Sequence, residues 1–177
     1  MFLIEKVGAP PGPPRLIAAE KLSATDFDLI AAELGVKPFL ARKIGFVAAR
    51  LAKTRTMIET RWNGKESQIT AEPGDWIVTN MSPKRELMRD SDGHLNVYAI
   101  RADKFSKLYA RDKGKMIEGE IYRAISTVDA IFFPGGFEIM APWGEAQRAD
   151  AGYILKNEDE VYGNAKETFE TTYVRVR

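Results

Sequence analysis

The sequence predicts an α+β protein: a short N-terminal helical arm, then two tandem, internally repeated small β-rich units, each a bent sheet or open barrel closed by a C-terminal helix. Three observations predict this. Large side chains recur along the chain in two blocks, each at a fixed offset. Alternation of period two in the second copy assigns a strand to the matching place in the first. Each copy ends in a Phe and a Tyr four residues apart, the spacing of one helix face.

The first element is the arm, residues 1–39. GAPPGPPR at 8–15 has the composition of a proline-rich linker. A helix is predicted from about residue 25 to 34. Thr25 with Asp28 forms a capping pair, and Gly35 is placed to stop the helix. IAAELGVKPFLARKI faintly echoes a helix-turn-helix, but the repeat assigns its second half to a strand.

The repeat follows from spacing. Arg42, Ile44, Val47, Ala49, Ile58 and Trp62 match Arg123, Ile125, Val128, Ala130, Ile139 and Trp143 with no gap. Val97-Tyr98, Phe105 and Tyr109 match Val161-Tyr162, Phe169 and Tyr173. Residues 36–52 have helical period, with Leu40, Ile44, Val47 and Leu51 on one face. The counterpart, ISTVDAIFFP, alternates as a strand. Two copies of one fold share an element, so residues 43–51 are assigned as a strand, with the helix as the rival.

Each unit then continues in one order. A second strand ends at the Trp, closed in unit 1 by Asn63-Gly64, a strong hairpin signal because a type I′ turn needs positive φ twice. A third strand runs to Ala71 or Ala149. A Gly turn follows, AEPGDWIVTN in one copy and ADAGYILKN in the other. A fourth strand, a fifth holding the Val-Tyr pair, and a short helix complete the unit. Asn164 is placed to cap the second helix. The predicted boundaries are 1–39 for the arm, 40–110 for unit 1, 111–120 for a connector and 121–177 for unit 2. So small a unit has a thin core, which predicts that the two pack as one body.

Composition limits the chemistry. The 177 residues are 45% hydrophobic and 29% charged, as in globular chains. With no cysteine, thiol nucleophiles and Cys-ligated zinc are excluded, and one histidine leaves little for a His-rich metal site. Neither a signal peptide nor a membrane span is predicted, so a cytoplasmic protein with no membrane partner is expected. The net charge of +1 hides an excess of basic residues over 1–119 and of acidic ones over 120–177. Lys37, Arg42, Lys43, Arg50, Lys53 and Arg55 fall in 37–55 without an acid between them.

The candidate binding residues are Arg42, Trp62, Asp75, Trp76, Arg85, His94, Arg123 and Trp143. The two Arg recur. The Trp residues could stack on bases or sugars, although sheet packing explains them as well. Pro73-Gly74 forms a turn in which only the Gly recurs, a backbone requirement. Asp75 has no counterpart. Arg85 and His94 lie in a segment that unit 1 carries between Asn80 and Val97, where loop-borne function could sit. No catalytic residue, cofactor or metal is assigned, since no nucleotide, nucleophile or metal motif occurs.

The run IETRWNGKESQITAEPGDWIVTN, with its closing F-x-x-x-Y helix, resembles the family of bacterial and phage-associated proteins named for a Pro-Gly-Asp-Tyr-Gly (PGDYG) motif. Here that motif reads Pro73-Gly74-Asp75-Trp76-Ile77. The second unit is similar to small phage proteins ending in Phe-x-x-Thr-Tyr. The resemblance covers about residues 40–174 and implies a phage or mobile-element connection, with no catalytic residue to carry over. A non-enzymatic binding or interaction module is therefore expected, with an unknown protein or small-molecule partner. The alternatives are nucleic-acid binding through 37–55 and the aromatic faces, and an enzyme using carboxylates in a cleft between the units.

Overall fold

The computed structural model describes residues 1–8, 12–62 and 64–177. The elements follow in chain order. Strands β1 (Phe2–Lys6) and β2 (Pro14–Lys21) precede helix α1 (Ala24–Leu34). Then come β3 (Phe39–Lys43), β4 (Phe46–Leu51), β5 (Thr56–Trp62), β6 (Lys65–Ala71), β7 (Trp76–Met81) and β8 (Val97–Ile100). Helix α2 (Ala102–Leu108) leads into β9 (Tyr109–Met116) and β10 (Gly119–Ala124). The last part holds β11 (Thr127–Phe133), β12 (Phe137–Met140), β13 (Ala146–Ala149), β14 (Gly152–Asn157), β15 (Glu160–Ala165), α3 (Lys166–Thr172) and β16 (Tyr173–Arg175).

Strand accounts for 55% of the chain and helix for 15%, so the class is mostly β and not α+β. The predicted N-terminal helical arm is corrected. Residues 1–39 begin with β1 and β2 paired antiparallel, from Phe2↔Ala18 to Lys6↔Pro14. The strand reading was obscured by the prolines, yet Pro14 sits at the first position of its strand, where a missing N–H costs little. Ala9, Pro10 and Pro11 of the predicted linker lie outside the described residues, as does Asn63 of the predicted hairpin turn.

The chain divides into two compact bodies. The first is Met1–Lys43 with Thr127–Arg177, and the second is Ile44–Ser126. The first body holds a five-stranded sheet of order β15-β14-β11-β3-β16 and a four-stranded sheet β1-β2-β12-β13. The second holds a five-stranded sheet β8-β7-β4-β10-β9 and the hairpin β5-β6. The two five-stranded orders agree position by position when β4 is set against β11.

This corrects the tandem units closed by helices. β3 runs directly before β4 but joins the sheet of the first body, pairing with β11 and β16. β10 runs directly before β11 but joins the second, pairing with β4 and β9. Each sheet thus takes an inner strand from the other sequence segment. Residues 111–120, read as a connector, are most of β9, the turn at 117–118 and the start of β10. Neither helix closes its unit, because α2 and α3 each run straight into an edge strand. Residues 39–51 form two strands broken at Ile44-Gly45, which settles the rivalry with a helix.

Strand period builds the cores. In β11, Val128 and Ala130 face one side, with Leu155, Phe169 and Tyr173. Ile131 and Phe133 face the other, with Leu16, Phe27, Ile30, Phe137 and Ile154. In the second body Val47, Ala49 and Val78 pack with Phe105 and Tyr109 of the α2 segment. Ala52, Ile58, Ala71 and Ile77 form a smaller cluster with the hairpin. The helix caps differ from expectation. α1 starts at Ser23, whose hydroxyl accepts the Asp26 N–H while the Asp26 carboxylate accepts the Ser23 N–H. Asp28 instead pairs with Lys156 at 2.9 Å. Gly35 does end α1, at φ 64° in the left-handed region. The N-cap of α3 is Ala165, without a side-chain bond, and Asn164 lies in β15.

Candidate functional site

Arg42 and Trp143 belong to the first body; Trp62, Asp75, Trp76, Arg85, His94 and Arg123 belong to the second. The basic segment divides in the same way: Lys37, Arg42 and Lys43 lie in the first, and Arg50, Lys53 and Arg55 in the second. Alternation along β3 and β10 leaves Arg42 and Arg123 exposed.

Asp75 is built into a turn. Its N–H donates to the Glu72 carbonyl at 3.0 Å and its carboxylate accepts the Glu72 N–H at 2.9 Å. Gly74 sits at φ +93°, as the second central residue of a type II turn requires. The turn is tied to the end of β4 by Gly74 N–H to Ala52 O, 2.9 Å, and Ala52 N–H to Asp75 O, 2.8 Å. Gly152, its expected counterpart, is not a positive-φ residue. A Cβ there would stand 2.5 Å from the Asn164 carbonyl oxygen and 2.6 Å from the Phe137 ring. The two glycines recur for different reasons, backbone conformation in one body and close packing in the other.

The aromatics divide into packed and open. Trp76 lies flat on Phe105, with Tyr122 edge-on. Tyr153 lies in the same way on Phe169. Phe105 and Phe169 are buried, and the half-buried Trp76 and Tyr153 each spend a face on them. Trp143 is open, 57% exposed, with its indole N–H donating to Glu145 at 3.1 Å. Trp62 is half-buried at the end of β5. Glu66 pairs with Arg61 across the β5-β6 hairpin at 3.0 Å, a cross-strand ion pair.

The segment between β7 and β8 folds back on itself. Met81 bridges to Leu87 and Arg89 to Leu95. Arg85 takes positive φ, 65°, and its guanidinium lies over Phe46, donates to the Lys113 carbonyl and pairs with Asp112 at 3.3 Å. The Lys113 N–H, then Arg85, hold the Asp112 carboxyl below its usual range. Arg85 therefore latches this segment to β4 and β9. His94 Nδ1 lies 3.2 Å from Asp90 Oδ2, and Asp90 Oδ1 accepts the N–H groups of Asp92 and His94. Asp90, Asp92 and His94 are the one group of metal-type ligands close together among the described residues. Asp90 already spends its oxygens on the turn, so the group explains the loop's shape.

Three features escaped the sequence reading. Tyr98 donates to Asn80 Oδ1 at 2.8 Å and meets the Tyr109 hydroxyl at 3.3 Å. Tyr162 and Tyr173 approach to 3.5 Å in the other body. The repeated Tyr spacing was visible; that the hydroxyls meet was not. Two shallow recesses also occur. One, about 420 Å³, is lined by Glu59, Thr60, Arg61, Glu66, Ser67 and Gln68 of the β5-β6 hairpin. The other, about 380 Å³, lies against β2, β12 and β13, with Ile17, Ile139, Met140 and Arg148 in its lining. Finally, among the described residues β5 has a strand on one side only.

Burial raises the Tyr98 phenol well above its usual value, with Tyr109 adding to the effect. Burial and then the bond to Glu170 raise Tyr153. Ser23 lowers Asp26, and Lys166, then Tyr153, lower Glu170. All these shifts lead away from neutrality, whereas a general acid or base works best near it. No helix among the described residues is long and apolar enough to cross a membrane. Comparison with protein-family models, with curated proteins and with solved structures gives no match.

Proposed function

We propose that the chain is a non-enzymatic binding or interaction module, cytoplasmic, built by internal duplication, and of the phage or mobile-element type that the Pro-Gly-Asp resemblance implies. One observation carries the reading: a single strand order serves two bodies that are differently equipped. The first carries α1 and a four-stranded sheet, and the second a bare hairpin and the latched segment at 82–96. A shared frame with unlike surfaces suits recognition of a partner at more than one place.

The test is affinity capture on the immobilised full chain, with and without nuclease, each retained protein then titrated in purified form. The reading expects at least one protein that binds at about micromolar Kd or tighter and survives nuclease treatment. Retention abolished by nuclease, together with oligonucleotide binding that weakens steeply with salt, would transfer the function to nucleic acid.

A further inference from the structure

We propose that the outer edge of β5 is a docking site for an extended strand of a partner protein, which adds parallel to β5 as β2 adds to β12. The proposal rests on the binding-module reading and names the partner's form.

Two equivalent edges differ in what lies beside them. β12 and β5 are each the first strand of a hairpin, each carries a buried Ile, Ile139 or Ile58, and a Trp follows Ile139 or Ile58 at the same distance. β12 has neighbours on both sides, β13 antiparallel and β2 parallel. β5 has only β6. At the filled edge Leu16 N–H donates to Gly136 O at 3.1 Å, and Gly135 N–H donates to Pro14 O at 2.9 Å. Leu16 and Ala18 of β2 turn inward and are buried.

The unfilled edge is fit to take a strand. The β5-β6 register runs unbroken from Thr56↔Ala71 to Trp62↔Lys65, so no bulge twists the edge away. Residues 56–62 contain no Pro and no Gly. Met57 is 64% exposed, on the same outward face of β5 as Glu59 and Arg61. An extended peptide added there gains main-chain hydrogen bonds, while alternate side chains supply selectivity.

The occupant is a strand without a helix. In the first body α1 covers a buried Ile131, and the matching position in the second body is the exposed Arg50. No apolar floor awaits a helix there. β2 itself gives the occupant's chemistry: small or aliphatic side chains at alternate positions, followed by a charged end, as in PRLIAAEK.

The probe is a labelled synthetic peptide with the sequence of residues 12–22, titrated into the full-length chain by fluorescence polarisation and mapped by hydrogen exchange. The expected result is saturable binding with roughly tenfold slower exchange at amides in 55–61, and roughly tenfold weaker binding when the Leu16 amide of the peptide is N-methylated, the effect of about one backbone hydrogen bond. Four results overturn it: no binding, equal binding of a scrambled peptide, protection confined to 136–140 by replacement of the resident β2, or a dimer that already protects 55–61 without peptide. Captured partners that leave 55–61 unprotected refute the edge site while the binding-module reading stands.

Discussion

Trp76 and Phe105 stack face to face, centroids 4.1 Å apart and planes 12° apart. Tyr153 and Phe169 repeat the relationship at 4.0 Å. Each pair joins a sheet to its short helix, and Phe105 and Phe169 are buried. Phe105→Ala and Phe169→Ala are each expected to cost about 3–5 kcal/mol in urea unfolding. Trp76→Tyr is expected to cost less than about 1.5 kcal/mol, since Tyr fills the matching place in the other body.

Gly163 faces a different constraint from Gly74. A Cβ at Gly163 would stand 2.5 Å from the Phe137 ring, whereas one at Gly74 meets nothing within 4 Å but is held at φ +93°. Gly163→Ala is expected to destabilise by about 1–3 kcal/mol through overpacking. Gly74→Ala is expected to cost about 1 kcal/mol from the left-handed backbone alone. Thermal unfolding of both variants gives the order, and a smaller loss at Gly163 contradicts the packing argument.

The strand pattern was legible in part, but the architecture was not. Val128, Ala130 and Phe132 alternate as a strand must, and Val47 and Ala49 at matching positions removed the helical reading of 43–51. Local pattern does not say which sheet a strand joins. β3 and β10 carry the right alternation, but β3 pairs with β11 more than eighty residues on and β10 with β4 more than seventy residues back, so order and spacing alone suggested tandem units. The prolines before β2 resembled a linker because its parallel pairing to β12 is a long-range fact. The candidate residues fared by the same rule. The Pro73-Gly74 turn was legible from its residues, while the bond that builds Asp75 into it and the free edge of β5 were not.

Asp75 gives a direct separation of roles. Its carboxylate accepts the Glu72 N–H, so Asp75→Ala is expected to lose about 1 kcal/mol of stability with partner affinity unchanged. Unchanged stability with weakened binding would make Asp75 a contact residue.

Acid stability depends in part on Asp26. The Ser23 N–H and hydroxyl hold its carboxyl below the usual 3.8. A folded-state pKa below the unfolded one gives stability that is complete above the unfolded value and lost as pH falls through the folded value. Asp26→Asn is therefore expected to flatten the unfolding curve below about pH 4 and leave its slope near neutrality unchanged. The pair is exposed, so the effect is small.

The exchange of inner strands is tested most directly by engineered cysteines, in a chain that has none. Arg42 faces Thr127 in the register of β3 with β11. In a simple tandem arrangement Arg42 would face Phe46, as Arg123 does. Directly opposed antiparallel residues lie about 4.5–5.5 Å apart at Cα, within disulfide range. Mild oxidation is predicted to cross-link Arg42→Cys with Thr127→Cys and to leave the Arg42→Cys, Phe46→Cys variant reduced. Cross-linking of the second pair and not the first would contradict the exchanged fold and the edge comparison that rests on it.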